Sequence, residues 1–152
     1  MTPDPRVLLR RYAPLDEAPT IELWRRSWQQ NYPSIDFSRR VAWWQERWRQ
    51  ELLAAATVTV AEGPDGIIGF VTVNAATGYL DQIVVAPESW GRGVAEALLA
   101  EARRQSPAGL DLHVNVDNRR AIRFYEKHGF RQVGHDVNPI SGRPVYHMSW
   151  RP

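Results

Sequence analysis

Two spacings of apolar residues alternate along this chain, and each predicts its own kind of element. "RVLLRRYA" reads as a first strand stopped by Pro14, and "TIELWRRSWQQN" then puts Ile21, Trp24 and Trp28 on one helical face. A second helix is expected from Ser38, a residue suited to an N-cap, with Val41, Trp44, Trp48 and Leu52 as its apolar stripe. The period then drops to two. "TVTVA" and "IIGFVTVN" flank the turn-forming "EGPDG" as a hairpin, and "YLDQIVVA" adds a strand that ends at Pro87. Helical spacing returns in "VAEALLAEA", through Val94, Ala95, Leu98, Leu99 and Ala102. A strand "GLDLHVNV" and a helix "NRRAIRFYEKHGF" come next; Gly129 suits the left-handed position after that helix, with Phe130 folding back toward Phe124. "FRQVGHDV" and "PVYHMSW" close the chain as strands around the turn cluster "NPISGRP". This order predicts an α/β domain over residues 1–152, with a mixed central sheet and helices on both faces.

A length of 152 residues, 43% hydrophobic and 24% charged, suits one domain with a real core. The absence of cysteine excludes a disulfide framework and a thiolate nucleophile. No apolar run approaches the roughly 18 residues of a membrane span. The start, "MTPDPRVLLRRYAP", lacks the apolar centre of a signal peptide, so a cytoplasmic protein without membrane attachment is expected. All 19 basic residues except Lys127 are Arg, yet the net charge is only +2. That balance gives little support to a polyanion partner and fits a small anionic ligand equally well.

The entry to the helix at Val94 breaks a rule. Gly91, Arg92 and Gly93 stand where a first turn normally gathers Ser, Asp or Glu. A cation there opposes the free amides and the positive end of the helix dipole. An anion in the loop reverses the argument. Glycines let backbone amides approach a phosphate, and Arg92 then faces negative charge. A P-loop would need Gly-Lys-Ser or Gly-Lys-Thr, and a dinucleotide fingerprint would need glycine at Glu96. Neither is present. A second motif adds to the first: Asn118, Ala121 and Tyr125 share one helical face, offering an amide, a gap and a phenol in a row to a long thin ligand.

"VVAPESWGRGVAEALL" followed by "LHVNVDNRRAIRFYEKHGF" resembles the GNAT superfamily of acyl-CoA-dependent N-acyltransferases. The likeness runs from about Tyr79 to Phe130. The resemblance implies acetyl-CoA as acyl donor, with no metal. Its pyrophosphate would be held by amides of Gly91, Arg92, Gly93, Val94 and Ala95. Its pantetheine arm would pair with the backbone of Ile83, Val84 and Val85 and bond Asn118, with Tyr125 facing the thioester sulfur. One departure is Trp90, where the family favours Gln or Arg. Family chemistry is direct attack by a primary amine. An amide near Val84 or Val85 would polarise the carbonyl, and Tyr125 would give a proton to the leaving thiolate.

For the base, Asp81 is the first choice, placed two residues before Ile83 and on its face; His113 is the second. The two N-terminal helices would wall the acceptor pocket, with Tyr32, Trp28 and Asn115 as contacts. The acceptor is an amine on a small molecule, peptide or protein, and the state is a monomer or homodimer. Two rival readings remain. One is an acyl-CoA-binding regulatory module without turnover. The other is a nucleic-acid binder using the Trp- and Arg-rich stretch from Trp24 to Trp48; helical core spacing and low charge weigh against it, so no nucleic acid is expected.

Overall fold

In the computed structural model, which describes residues 4–152, seven strands form one sheet in the order β1–β2–β3–β4–β5–β7–β6. The strands are β1 (Leu8–Arg11), β2 (Thr57–Gly63), β3 (Gly66–Asn74), β4 (Tyr79–Val85), β5 (Leu110–Asn115), β6 (Arg131–Val137) and β7 (Pro144–Trp150). Every neighbouring pair is antiparallel except β4 and β5. Helices α1 (Glu17–Asn31), α2 (Val41–Arg47) and α3 (Leu53–Ala55) lie before β2, while α4 (Val94–Gln105) and α5 (Arg119–Lys127) flank β5. The first three residues of the N-terminal stretch fall outside the described residues.

Each face of the sheet has its own core. α1 and α2 bring Trp24, Phe37, Trp44 and Trp48 against Val60, Phe70 and Val84. Trp24 and Trp44 stack at 4.7 Å with 8° between their planes, and Trp48 meets Phe70 edge-on at 5.4 Å. A π turn over Trp48–Leu52 carries this stripe into α3. Trp24, Trp44 and Trp48 are therefore packing residues of this core. On the opposite face, α4 and α5 pack Leu98, Leu99, Tyr125 and Phe130 on Val71, Val73 and Leu112.

Two local readings change. The cap before α2 is Asp36, which accepts the Ser38 amide at 3.0 Å and starts a 3-10 turn over Phe37–Arg40. Gly129 does take the left-handed conformation (φ 88°), but the Phe130 ring packs on Tyr125 at 5.4 Å instead of Phe124.

Two irregularities set the geometry of β4. The first is a bulge. Thr72 pairs with Gln82 and Val73 with Leu80, which leaves Asp81 as the extra residue. A bulge swaps the parity of a strand. Leu80 and Ile83 accordingly pack with the α4/α5 cluster, while Val84 packs with the α1/α2 cluster. Asp81 bonds Arg47 of α2, so it does not share the face of Ile83 as the unbroken alternation predicts. The second is a splay. β4 and β5 pair at Tyr79 and Asp111 and then diverge, so the outer edge of Ile83–Val85 has no strand beside it.

Candidate active site

The splay opens into a cavity of about 1010 Å³ between the two halves of the sheet. Gly93 and Ala95 line one end, Ile83 and Tyr125 the middle, and Tyr32 and His113 the other end.

At the first end the chain turns sharply into α4. Gly91 (φ 76°) and Gly93 (φ 84°) are both left-handed, the region that L side chains avoid. Gly93 is the N-cap, so the amides of Val94, Ala95 and Glu96 open α4 without helical partners and line the cavity. Arg92 behaves differently from its neighbours: it does not line the cavity, and its charge acts on Asp4. The cation near the cavity comes from α5. The Arg120 guanidinium lies 3.5 Å over the Trp90 ring, and both residues line the wall. Trp90 also donates from Nε1 to the Val85 carbonyl at 2.8 Å, which Ser27 Oγ reaches at 3.2 Å. The departure at Trp90 thus has a structural use: the indole ties the glycine loop to the end of β4 and carries Arg120.

In the middle, antiparallel alternation decides which groups of β4 are open. Ala86 donates to Ile68 across β3 at 2.8 Å, so Val84 turns its amide and carbonyl toward β3 as well. Ile83 turns both of its groups into the splay, whereas Val85 offers only its amide there, its carbonyl being taken by Trp90 and Ser27. Of the three residues expected to meet a pantetheine arm, Val84 is thereby corrected to a core residue with a satisfied backbone. Opposite this edge, α5 presents Asn118, Ala121 and Tyr125 to the cavity together. Asn118 caps α5 with Oδ1, 3.3 Å from the Ala121 amide, leaving its Nδ2 hydrogens for a ligand. Tyr125 is 7% exposed, its ring held between Phe124 and Phe130. Burial holds its phenol well above the ordinary tyrosine range, with the nearby Tyr79 adding to the effect.

The far end is polar. Tyr32 donates to Asp117 at 2.8 Å and accepts from Asn115 Nδ2 at 3.0 Å. Trp28 stacks on Tyr32 at 5.8 Å, so the three expected acceptor contacts do come together. Burial, with the Asp117 charge, pushes the Tyr32 phenol up to about 12. Asp81 is engaged on both oxygens by Arg47, at 2.7 and 3.0 Å.

Comparison with known proteins shows the family of this chain. Residues 18–130 match the model of the acetyltransferase (GNAT) family. The chain belongs to that family. As a GNAT member it is an acetyl-CoA-dependent N-acetyltransferase. It is 31% identical to the peptidyl-lysine N-acetyltransferase YiaC of Escherichia coli, over 92% of this chain and 94% of that one. It is 41% identical to a spermidine N(1)-acetyltransferase of Vibrio cholerae over a shorter match, 41% of this chain and 40% of that one. The crystal structure of the PaiA N-acetyltransferase from Thermoplasma acidophilum in complex with coenzyme A shares the fold, with a TM-score of 0.79. It is 21% identical and the match covers 96% of this chain and 99% of that one.

The donor set of this GNAT chain suits acetyl-CoA: open amides at a left-handed helix entry, a strand edge with no strand beside it, and a buried phenol lining the same cavity. Sequence reasoning missed Arg120, Tyr79 and Arg47 at the cavity, and Asp117 as the partner of Tyr32. Arg120 follows the cap Asn118 and could have been read as a first-turn cation facing the glycine loop. Tyr79 and Arg47 gave no sequence signal, because the bulge and the helix crossing that place them arise only in three dimensions.

Proposed function

We propose that this chain moves the acetyl group of acetyl-CoA to a primary amine, with a peptide lysine as the favoured acceptor class. The observation that carries this reading is the open backbone of Ile83, with the Val85 amide beside it, lining the same cavity as Tyr125. The lysine class rests on the near full-length likeness to YiaC. The open amides at Val94 and Ala95, with Arg120 beside them, hold the pyrophosphate. The Ile83 backbone and Asn118 hold the arm, and the Val85 amide polarises the thioester carbonyl. Acetyl-CoA supplies the activated acyl group. The amine nitrogen attacks the carbonyl carbon, the carbon–sulfur bond breaks, and Tyr125 donates a hydrogen bond to the departing thiolate. With its ionisation pushed upward, Tyr125 stays protonated through neutral pH.

The test is calorimetric titration with acetyl-CoA, followed by thiol release on adding a short peptide with one lysine. Absence of binding would overturn the assignment of the cavity. Binding without thiol release, for peptide or polyamine, would favour a regulatory acyl-CoA module.

Two substitutions separate the ends of the site. Arg120→Leu is expected to weaken acetyl-CoA binding about tenfold, the worth of one charge-assisted hydrogen bond. Unchanged affinity would leave Arg120 as a packing partner of Trp90. Tyr32→Ala should raise the Michaelis constant for the peptide several-fold, since it releases the bonds to Asp117 and Asn115, with acetyl-CoA affinity retained. Lost acetyl-CoA affinity would instead make α1 a support of the sheet.

A further inference from the structure

An attacking amine must lose a proton, and the carboxylate nearest the strand bulge is poorly placed to take it. Both oxygens of Asp81 are bound by Arg47, which Glu51 also holds at 3.1 Å. A different set of groups lines the same cavity at the root of the splay. The Tyr79 hydroxyl lies 2.8 Å from His113 Nδ1. On the other side of that ring, His113 Nε2 lies 3.8 Å from Asp136. Tyr79, His113 and Asp136 come from β4, β5 and β6, and all three line the cavity.

We propose that Tyr79, His113 and Asp136 form a proton relay that takes the proton of the acceptor amine. The proposal rests on the transferase reading of the cavity. The relay requires one tautomer: a proton on Nε2, on the Asp136 side of the ring, leaves the Nδ1 lone pair to accept from Tyr79. The Tyr79 oxygen then has lone pairs free for the amine. In the step, an N–H bond of the amine breaks as its proton passes to the Tyr79 oxygen. The Tyr79 proton passes to His113 Nδ1. The resulting imidazolium is stabilised by Asp136 and yields one proton to water; when product leaves, proton exchange with solvent, at Nε2 directly and at Nδ1 through Tyr79, restores the starting tautomer. His113 is exposed enough for that exchange, at 33% for its side chain. The nitrogen electron pair so released forms the new bond to carbon, and no oxidation is involved.

Burial pushes the Tyr79 phenol up to about 12, so it stays neutral and serves as a conduit instead of a free base. Tyr79 is also close enough to act on Tyr125. Two phenols therefore flank the reacting centre, Tyr125 for the thiolate and Tyr79 for the amine. The other groups facing His113 are accounted for. On β7, His147 lies 5.1 Å away ring to ring. It is held by Asp111 at 2.9 Å, and Asp111 is also bound by Arg151. Beyond Tyr79, Asp81 is neutralised by Arg47. Tyr79 is the catalytic residue here; His113 and Asp136 act through it.

The experiment is the pH–rate profile of the parent and of His113→Gln, Tyr79→Phe and Asp81→Asn. It uses saturating acetyl-CoA and a peptide with a single lysine, from pH 6 to 10. His113→Gln and Tyr79→Phe are expected to lower turnover about 10²-fold at pH 7. The deficit should shrink toward pH 10, where a lysine amine near its ordinary pKa of about 10.4 is increasingly neutral unaided. Acetyl-CoA affinity should hold, and Asp81→Asn should keep the shape of the parent profile. A parent-like profile in His113→Gln overturns the relay, and a profile lost only in Asp81→Asn moves the base to Asp81. A readout independent of turnover is the tautomer of His113 by nitrogen-15 NMR of the CoA-loaded protein. The proton should sit on Nε2; a proton on Nδ1 overturns the proposal. Failure of the transferase reading looks different, because the parent itself would release no thiol.

Discussion

Tyr125→Phe is expected to lower turnover by about 10²–10⁴-fold at saturating acetyl-CoA and peptide, while acetyl-CoA affinity stays nearly unchanged. The ring is what packs: it is held by Phe124 and Phe130, and phenylalanine keeps those contacts. Only the hydroxyl is lost. A hydrogen bond to a sulfur that becomes a thiolate is strongest in the transition state, so its removal acts on the catalytic constant. Burial raises the Tyr125 ionisation. The active, protonated form therefore persists up to and beyond the ordinary tyrosine value of about 10, and Tyr125 contributes no loss of activity below it. Folded Tyr125→Phe protein turning over within about twofold of the parent would remove the hydroxyl from the mechanism. A fall in melting temperature with normal turnover of the folded fraction would make Tyr125 a core residue only.

The element order was legible because each segment states its own period. The spacing of Trp24, Trp44 and Trp48 allowed one buried face, and the fold used it. Asn118, Ala121 and Tyr125 were equally readable, since a helix fixes which residues share a face. The strand β4 was not. An alternating pattern in "YLDQIVV" carries no mark of the bulge at Asp81, and that single extra residue reversed the face of Asp81 relative to Ile83. The distinction between Val84 and its neighbours also lay in pairing, because the direction of an amide depends on the strand that accepts it. Arg92 misled for a related reason. Its place beside the glycines was plain, but in the fold it does not line the cavity. The cation at that wall comes from Arg120, which is remote in sequence from the loop.

Gly93→Val tests the helix entry, and its expected effect is a roughly 100-fold loss of acetyl-CoA affinity. Gly93 sits at φ 84° as the N-cap of α4. A β-branched residue in the left-handed region costs about 1–2 kcal/mol or more. The loop escapes that strain only by rotating, and rotation turns the amides of Val94 and Ala95 off the cavity. Losing two charge-assisted hydrogen bonds, at about 1.5 kcal/mol each, gives the stated factor. Strain alone also lowers stability, so a matched control is needed. Gly142 has a similar conformation, φ 72°, and a Cβ there meets no atom within 4 Å. It lies in the turn between β6 and β7, whose Ser141 and Arg143 line the acceptor end of the cavity with Tyr32, not the end at α4. Gly142→Val should lower the melting temperature by a few degrees, as about 1–2 kcal/mol does in a domain of this size, and keep acetyl-CoA affinity. Calorimetric titration of both folded variants decides the matter. Equal affinity in the two would place the phosphate site away from the N-terminus of α4, whereas a loss confined to Gly93→Val ties it to those amides.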